Sequence, residues 1–178
     1  MTDKHEIRTE LHGPYTLRPA RAADLERLVE LLLALQDQIE RSNPDLWRMK
    51  PDARHNLKGQ ISGRLKAADS CALVAEHDED GVVGAIGGRI IVNNRYTPWR
   101  AGQIDQAFVR PDHRRLGVGS RLVALLCGFF AAAGVEDVSL RYVAGNEEAA
   151  AFWSALGFAP RIITAGSRRE ALEQRLLE

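Results

Sequence analysis

The residues whose types could do chemistry crowd between Val109 and Ser120. The run reads Val109-Arg110-Pro111-Asp112-His113-Arg114-Arg115-Leu116-Gly117-Val118-Gly119-Ser120. A strand-like stretch ends at a proline, a basic turn with two glycines follows, and an amphipathic segment starts at once. The first N–H groups of a helix have no intrahelical partner, and the helix dipole is positive there. Glycines let a polyanion come close to the backbone. Arg110, His113, Arg114, Arg115 and Arg121 add positive charge. The chemistry is anion binding, and a diphosphate is a natural guest.

Two common diphosphate loops do not fit. A nucleoside-triphosphate loop needs Gly-Lys-Ser/Thr, which is absent. The dinucleotide fingerprint needs a third glycine where Leu122 stands. That fingerprint also follows the first strand of a parallel unit, which this loop does not.

Other reactive types are poorly placed. The five histidines, at 5, 12, 55, 77 and 113, show no metal spacing with each other or with the cysteines, so no metal is expected. Cys127 falls within the long apolar helix pattern and reads as buried filler; Cys71 opens a strand with no evident base. Thiol catalysis is therefore rejected.

The elements that must hold the loop follow from periodicity. Residues 1–13 read as a flexible N-terminal tail, and 14–178 as a single domain. Tyr15 to Ala20 predicts a strand. From Asp24, Leu25, Leu28, Val29, Leu32, Leu35 and Ile39 trace one helix face until Asn43-Pro44 breaks it. Pro51 to Ala68 predicts a more polar helix. Cys71–Glu76 and Val82–Val92 predict a hairpin across Asp78-Glu79-Asp80-Gly81. A loop to Gly102 and a strand from Gln103 to Arg110 follow. Leu122, Leu125, Leu126, Phe129, Phe130 and Ala133 mark a buried helix face that Gly134 ends. Then come a strand (Val135 to Val143), a helix (Asn146 to Leu156), a strand (Phe158 to Thr164) and a helix (Arg169 to Leu177). The order β-α-α-β-β-β-α-β-α-β is a mixed α/β protein with an antiparallel meander, not a doubly wound nucleotide fold.

Several matches at fixed places carry a resemblance. Arg114-Arg115-Leu116-Gly117-Val118-Gly119 fits Gln/Arg-x-x-Gly-x-Gly/Ala, the coenzyme A motif of the GNAT superfamily of N-acetyltransferases. Val109-x-Pro111 precedes it, and Asn146 follows the next strand. Ala151-Phe152-Trp153-Ser154-Ala155-Leu156-Gly157-Phe158 is similar to that family's Phe-Tyr-x-x-Leu-Gly-Phe ending. Leu17-Arg18-Pro19-Ala20 with Asp24 is similar to its opening. The resemblance spans Tyr15 to Thr164, and agreement at several levels makes it specific.

The resemblance implies a GNAT-like fold, a mostly antiparallel, splayed sheet flanked by helices. It implies direct acetyl transfer from acetyl-coenzyme A to a primary amine, with no metal. Backbone N–H groups from Arg115 to Ser120 (Arg115, Leu116, Gly117, Val118, Gly119, Ser120), with Arg114, would hold the pyrophosphate. Ala107, Phe108 and Val109 would bind the pantetheine arm as an added strand. The N–H of Phe108 or Val109 would polarise the thioester carbonyl. Asn146 would contact the cofactor, and Trp153 would pack against it.

An alkylammonium titrates near 10, so a base is required. Asp105, four residues before Val109, is the candidate; its plainer reading is a solvated residue or salt-bridge partner. A glutamate used by other branches is replaced here by Arg141, and Glu147 and Glu148 read as first-turn helix residues. Trp153 stands where many relatives have tyrosine, and an indole donates only, so it cannot protonate the leaving thiolate. That departure keeps an alternative open: a catalytically degenerate sensor or interaction module that binds acetyl-coenzyme A. The acceptor cleft would draw on Gln36, Asp37, Asn43, Asp45, Trp47, Asn93, Asn94, Tyr96 and Trp99. A small-molecule or peptide amine is expected as acceptor.

Composition closes off other classes. The 178 residues carry 24 Lys+Arg against 24 Asp+Glu, so the basic excess of a general nucleic-acid binder is missing. No apolar run approaches a membrane span. Met1 to Gly13 is polar and mixed in charge, unlike a signal or transit peptide. Two cysteines give no disulfide framework, so a reduced, cytoplasmic setting is expected. A homodimer is compatible with so small a domain.

Overall fold

A computed structural model describes residues 7–43, 45, 48–95 and 97–177. Trp47, Tyr96 and His5 lie outside them. Contacts divide the chain into two compact units, one running to Asn146 and one from Glu147 on.

The first unit is built on a six-stranded sheet in sequential order. Its strands are β1 (Glu10–His12), β2 (Tyr15–Pro19), β3 (Ser70–His77), β4 (Gly81–Val92), β5 (Arg100–Val109) and β6 (Asp137–Leu140). All neighbours are antiparallel except β5 and β6, which are parallel. The helices are α1 (Leu25–Ser42), α2 (Pro51–Lys66) and α3 (Val118–Ala132). This is the expected mixed, mostly antiparallel α/β sheet with helices against it.

The apolar stripes decide the layers. Leu28 and Leu31 of α1, with Leu57 and Ile61 of α2, are buried against Val74, Val82 and Phe108 on one face. Strand side chains alternate, so Gly88 and Gly102 face the other way. There a Cβ on either glycine would come within 2.9 Å of Phe130. These glycines let α3 lie close on that second face. No helix among the described residues is long and apolar enough to cross a membrane.

A buried ion pair fixes where α1 begins. Arg18 of β2 donates from Nη1 and Nη2 to the two carboxylate oxygens of Asp24 at 2.7 and 2.9 Å, and from Nε to Glu76 at 2.9 Å. Asp24 also accepts the Arg21 N–H at 2.7 Å. Burial pushes Asp24 up, but these donors outweigh it and hold the carboxyl below its usual range.

The sequence expectations need three corrections. The loose tail gives way at Glu10, because Glu10, Leu11 and His12 pair with Leu17, Thr16 and Tyr15 as an edge strand. The strand expected over 135–143 covers only Asp137–Leu140. Val135 is taken up by the end of α3, where its N–H donates to Phe130 O at 3.0 Å and Gly134 has φ +69°. No strand forms over 158–164. Ile162 and Ile163 are 90% and 86% exposed, and β-forming residues without a ladder partner do not make a strand.

The second unit holds α4 (Glu147–Ala155) and α5 (Arg169–Leu176), with irregular backbone between. Within it Trp153 is buried, its ring 4.8 Å from Phe152 and edge-on to Phe158 at 5.4 Å.

Candidate active site

β5 and β6 part company early. β6 pairs with Ala101 to Ile104 only, so residues 105–109 have no strand on that side among the described residues. The Arg110 N–H donates to Val83 O on the β4 side at 2.9 Å. Along a strand successive N–H groups alternate in direction. The Phe108 N–H is therefore spent on β4, while those of Ala107 and Val109 face the open edge. Of the two sequence candidates for the polarising N–H, only Val109 has the right direction.

Beyond this edge the chain turns through Pro111–His113 into the loop. Arg115 has φ +61° and Gly117 φ +80°, two left-handed residues that turn the backbone toward the start of α3. The first intrahelical bond runs from Arg121 N to Gly117 O at 3.1 Å, so Val118, Gly119 and Ser120 carry the unpaired N–H groups of the helix start. A Cβ at residue 117 would lie 3.1 Å from His12 Nε2, which itself bonds Leu116 O at 2.8 Å. The edge strand β1 thus buttresses the loop, a support sequence reading missed.

The charge expected around the loop is mostly spent. Arg110 is paired with Asp112, and Arg121 with Glu10 at 3.1 Å. Arg110 in turn holds the Asp112 carboxyl below its usual range. Arg114 donates from Nε to Val109 O at 2.8 Å and from Nη2 to Gln38 Oε1 at 2.9 Å, strapping β5 to α1. His113 is buried and bonded through Nδ1 to Tyr15 Oη at 3.0 Å. Arg115 is exposed and makes no ion pair among the described residues. Leu116 is 53% exposed at the loop tip.

The sequence spacing hides a histidine cluster. His77, Asp80 and His113 bring potential ligand atoms within 4.8 Å of one another. His77 Nδ1 already accepts the N–H groups of Glu79 and Asp80 at 3.3 Å each, so its lone pair is engaged by the β3–β4 turn. The cluster ties that turn to the stretch leading into the loop.

Asp105 stands where β5 bulges. Gly87 opposes Gln106 and Gly88 opposes Ile104, leaving Asp105 as the extra residue. Its side chain is only 12% exposed and lies between Arg64 Nη1 at 3.4 Å and Arg89 Nη2 at 3.5 Å. It lines a cavity of about 30 Å³ with Leu28, Leu31, Ile61, Leu65 and Arg64. Its salt-bridge reading is met, and it also borders a space.

Four of the acceptor residues suggested by sequence are engaged elsewhere. Gln36 donates to Glu40, Asp37 pairs with Arg54, Asn43 donates to Ala144 O, and Trp99 is stacked by Arg100. None of them lines the cavity. Its walls come from α1, α2, β3, β4 and β5, and the helical spacing of Ile61, Arg64 and Leu65 is the signal that could have placed α2 there. Asn146 is buried at the end of the first unit, and Gly145 beside it has φ +93°. Cys127 lies on α3 and is exposed rather than the buried filler expected; partial desolvation pushes its thiol up.

A parted sheet edge leading to a glycine loop at a helix start defines a class of acetyltransferase, and comparison bears this out. The model of the Acetyltransferase (GNAT) family matches residues 32–158. The chain belongs to that family and is an N-acetyltransferase. No curated protein matches it significantly. Among solved structures, a tetramutant of the BH1408 protein from Bacillus halodurans is similar at TM-score 0.76 and 16% identity, over 85% of this chain and 98% of that one. The aminoglycoside antibiotic 6'-N-acetyltransferase AAC(6')-Ih from Acinetobacter baumannii is similar at TM-score 0.69 and 16% identity, over 87% and 97%. A transcriptional regulator from Bacillus halodurans C-125 gives TM-score 0.69 and 20% identity, over 86% and 99%. At these identities the likeness is one of fold.

Proposed function

We propose that this protein transfers an acetyl group from acetyl-coenzyme A to a primary amine. The observation that carries the reading is the parting of β5 from β6 after Ile104, directly ahead of the α3 N-terminus. An extended pantetheine arm fits the open edge, where Ala107 and Val109 offer N–H groups as a neighbouring strand would. The pyrophosphate fits the loop, where the left-handed residues Arg115 and Gly117 turn the chain into the free N–H groups of Val118, Gly119 and Ser120. Arg115 adds the exposed cation.

The chemistry follows from this placement. The Val109 N–H, aimed into the cleft, donates to the thioester carbonyl oxygen as negative charge builds there. Asp105 takes the proton from the ammonium, directly or through a water, and frees the lone pair for attack. The C–N bond forms as the C–S bond breaks, the sulfur leaves as thiolate, and the nitrogen's second proton passes to that thiolate or to water. A thiol titrates near 8–9, so that departure needs no side-chain acid, and the indole of Trp153 supplies none.

Thermal unfolding with added acetyl-coenzyme A tests the donor site, with ATP and magnesium as control. At 100 times its dissociation constant a ligand stabilises the fold by about 2.7 kcal/mol. Stabilisation by acetyl-coenzyme A alone supports the reading, and no response at millimolar ligand overturns it. Bound acetyl-coenzyme A that no amine consumes would favour a sensor.

A further inference from the structure

The cavity beside Asp105 differs in charge from what a polycationic acceptor requires. Leu28, Leu31, Ile61 and Leu65 line one side of it, residues of β3, β4 and β5 the other, and its one carboxylate among the described residues is Asp105. That carboxylate is flanked by two guanidinium groups, Arg64 at 3.4 Å and Arg89 at 3.5 Å. Both arginines are partly exposed, with side chains 46% and 39% accessible, so each has donors left for a further anion. Around Asp105 there are thus two cations to one anion, Arg64 lining the mostly apolar space and Arg89 reaching the carboxylate from beside it. The space is slender, since about 30 Å³ is two or three waters' worth.

From this arrangement we infer that the acceptor is an α-amino acid with an apolar side chain, acetylated on its α-nitrogen. The inference rests on the acetyltransfer reading above and narrows it. An α-amino acid presents an ammonium and a carboxylate a few ångströms apart, the mirror image of Asp105 beside Arg64 and Arg89. Its ammonium meets Asp105, and its carboxylate meets one guanidinium or both, in the geometry arginine offers to carboxylates. A short apolar side chain enters this space, whose lining is mostly apolar, with Ser70 and Gln106 as its neutral polar residues. An aminoglycoside would bring several positive charges toward two arginines and lose affinity by like-charge repulsion. In the transfer the α-ammonium gives up one proton to Asp105 before attack, the nitrogen gains the acetyl carbon as the C–S bond breaks, and its second proton goes to the departing coenzyme A thiolate or to water.

Coenzyme A release with a free-thiol reagent tests this on the full chain. The panel is alanine, valine and leucine, their decarboxylated amines, and the aminoglycoside sisomicin. The expected result is turnover of the amino acids with kcat/KM at least 10-fold above the matching amines, and none with sisomicin. Arg64→Gln and Arg89→Gln should raise KM for the amino acids about 10-fold more than KM for the matching amines, so that the preference for the carboxylate is lost. A variant that merely misfolds would impair both alike. Equal or better use of the amines, or use of sisomicin alone, overturns the inference and leaves the acetyltransfer reading standing. So does failure to turn over any amino acid while acetyl-coenzyme A still raises the melting temperature. Absence of that thermal response overturns the donor reading instead, and this inference with it.

Discussion

Gly117 combines two constraints, a φ of +80° and a histidine nitrogen 3.1 Å from where a Cβ would sit. Gly117→Val should cost about 1–3 kcal/mol of backbone strain. It should also abolish stabilisation by acetyl-coenzyme A, with a urea midpoint that falls only modestly; an unchanged thermal response would remove the loop from the donor site. Asp105→Asn should lower kcat by about 100-fold or more, as loss of a general base does. KM for acetyl-coenzyme A should stay put, and steady-state kinetics would read the split. Residue types at the loop were legible because glycine, proline and arginine each leave a local signature there. The partners of Asp105 were not, since Arg64 and Arg89 reach it from α2 and β4 through sheet register that no local pattern encodes.

At the element scale, β5 is the working part, and its two edges differ. Hydrogen exchange should find the amides of Ala107 and Val109 fast and that of Phe108 slow. Saturating acetyl-coenzyme A should slow the fast ones; uniform protection without ligand would mean the edge is already covered. The buried pair of Arg18 and Asp24 anchors the neighbouring elements, with side chains 9% and 8% exposed. Asp24→Ala leaves a buried guanidinium short of its partner and should cost about 3–5 kcal/mol in urea unfolding. Helix faces were readable because Leu28, Leu32, Leu122, Leu126 and Phe130 repeat at helical spacing, although Leu31, more buried than Leu32, lay outside the expected stripe. The short β1 and the missing strand at 158–164 were not, because whether a strand forms depends on a neighbour, and composition does not name the neighbour.

For the whole molecule, the acid limb of stability follows from Asp24. Its folded value lies below the unfolded one near 3.9, so its contribution is present above that pH and lost as pH falls through the folded value. Unfolding midpoints measured from pH 6 to pH 2 should decline at the acid end. The Asp24→Asn variant, already weaker at pH 6, should decline less steeply. The parted sheet has a consequence for handling as well. Strand edges are adhesive, and the one from residue 105 to 109 has no strand beside it among the described residues, so its Ala107 and Val109 N–H groups are open to an extended backbone, a second copy's included, although Arg114 holds the Val109 carbonyl. A stock kept free of ligand thus carries an unguarded pairing site in its middle, and a small molecule lying along it would serve as protection against clumping on storage.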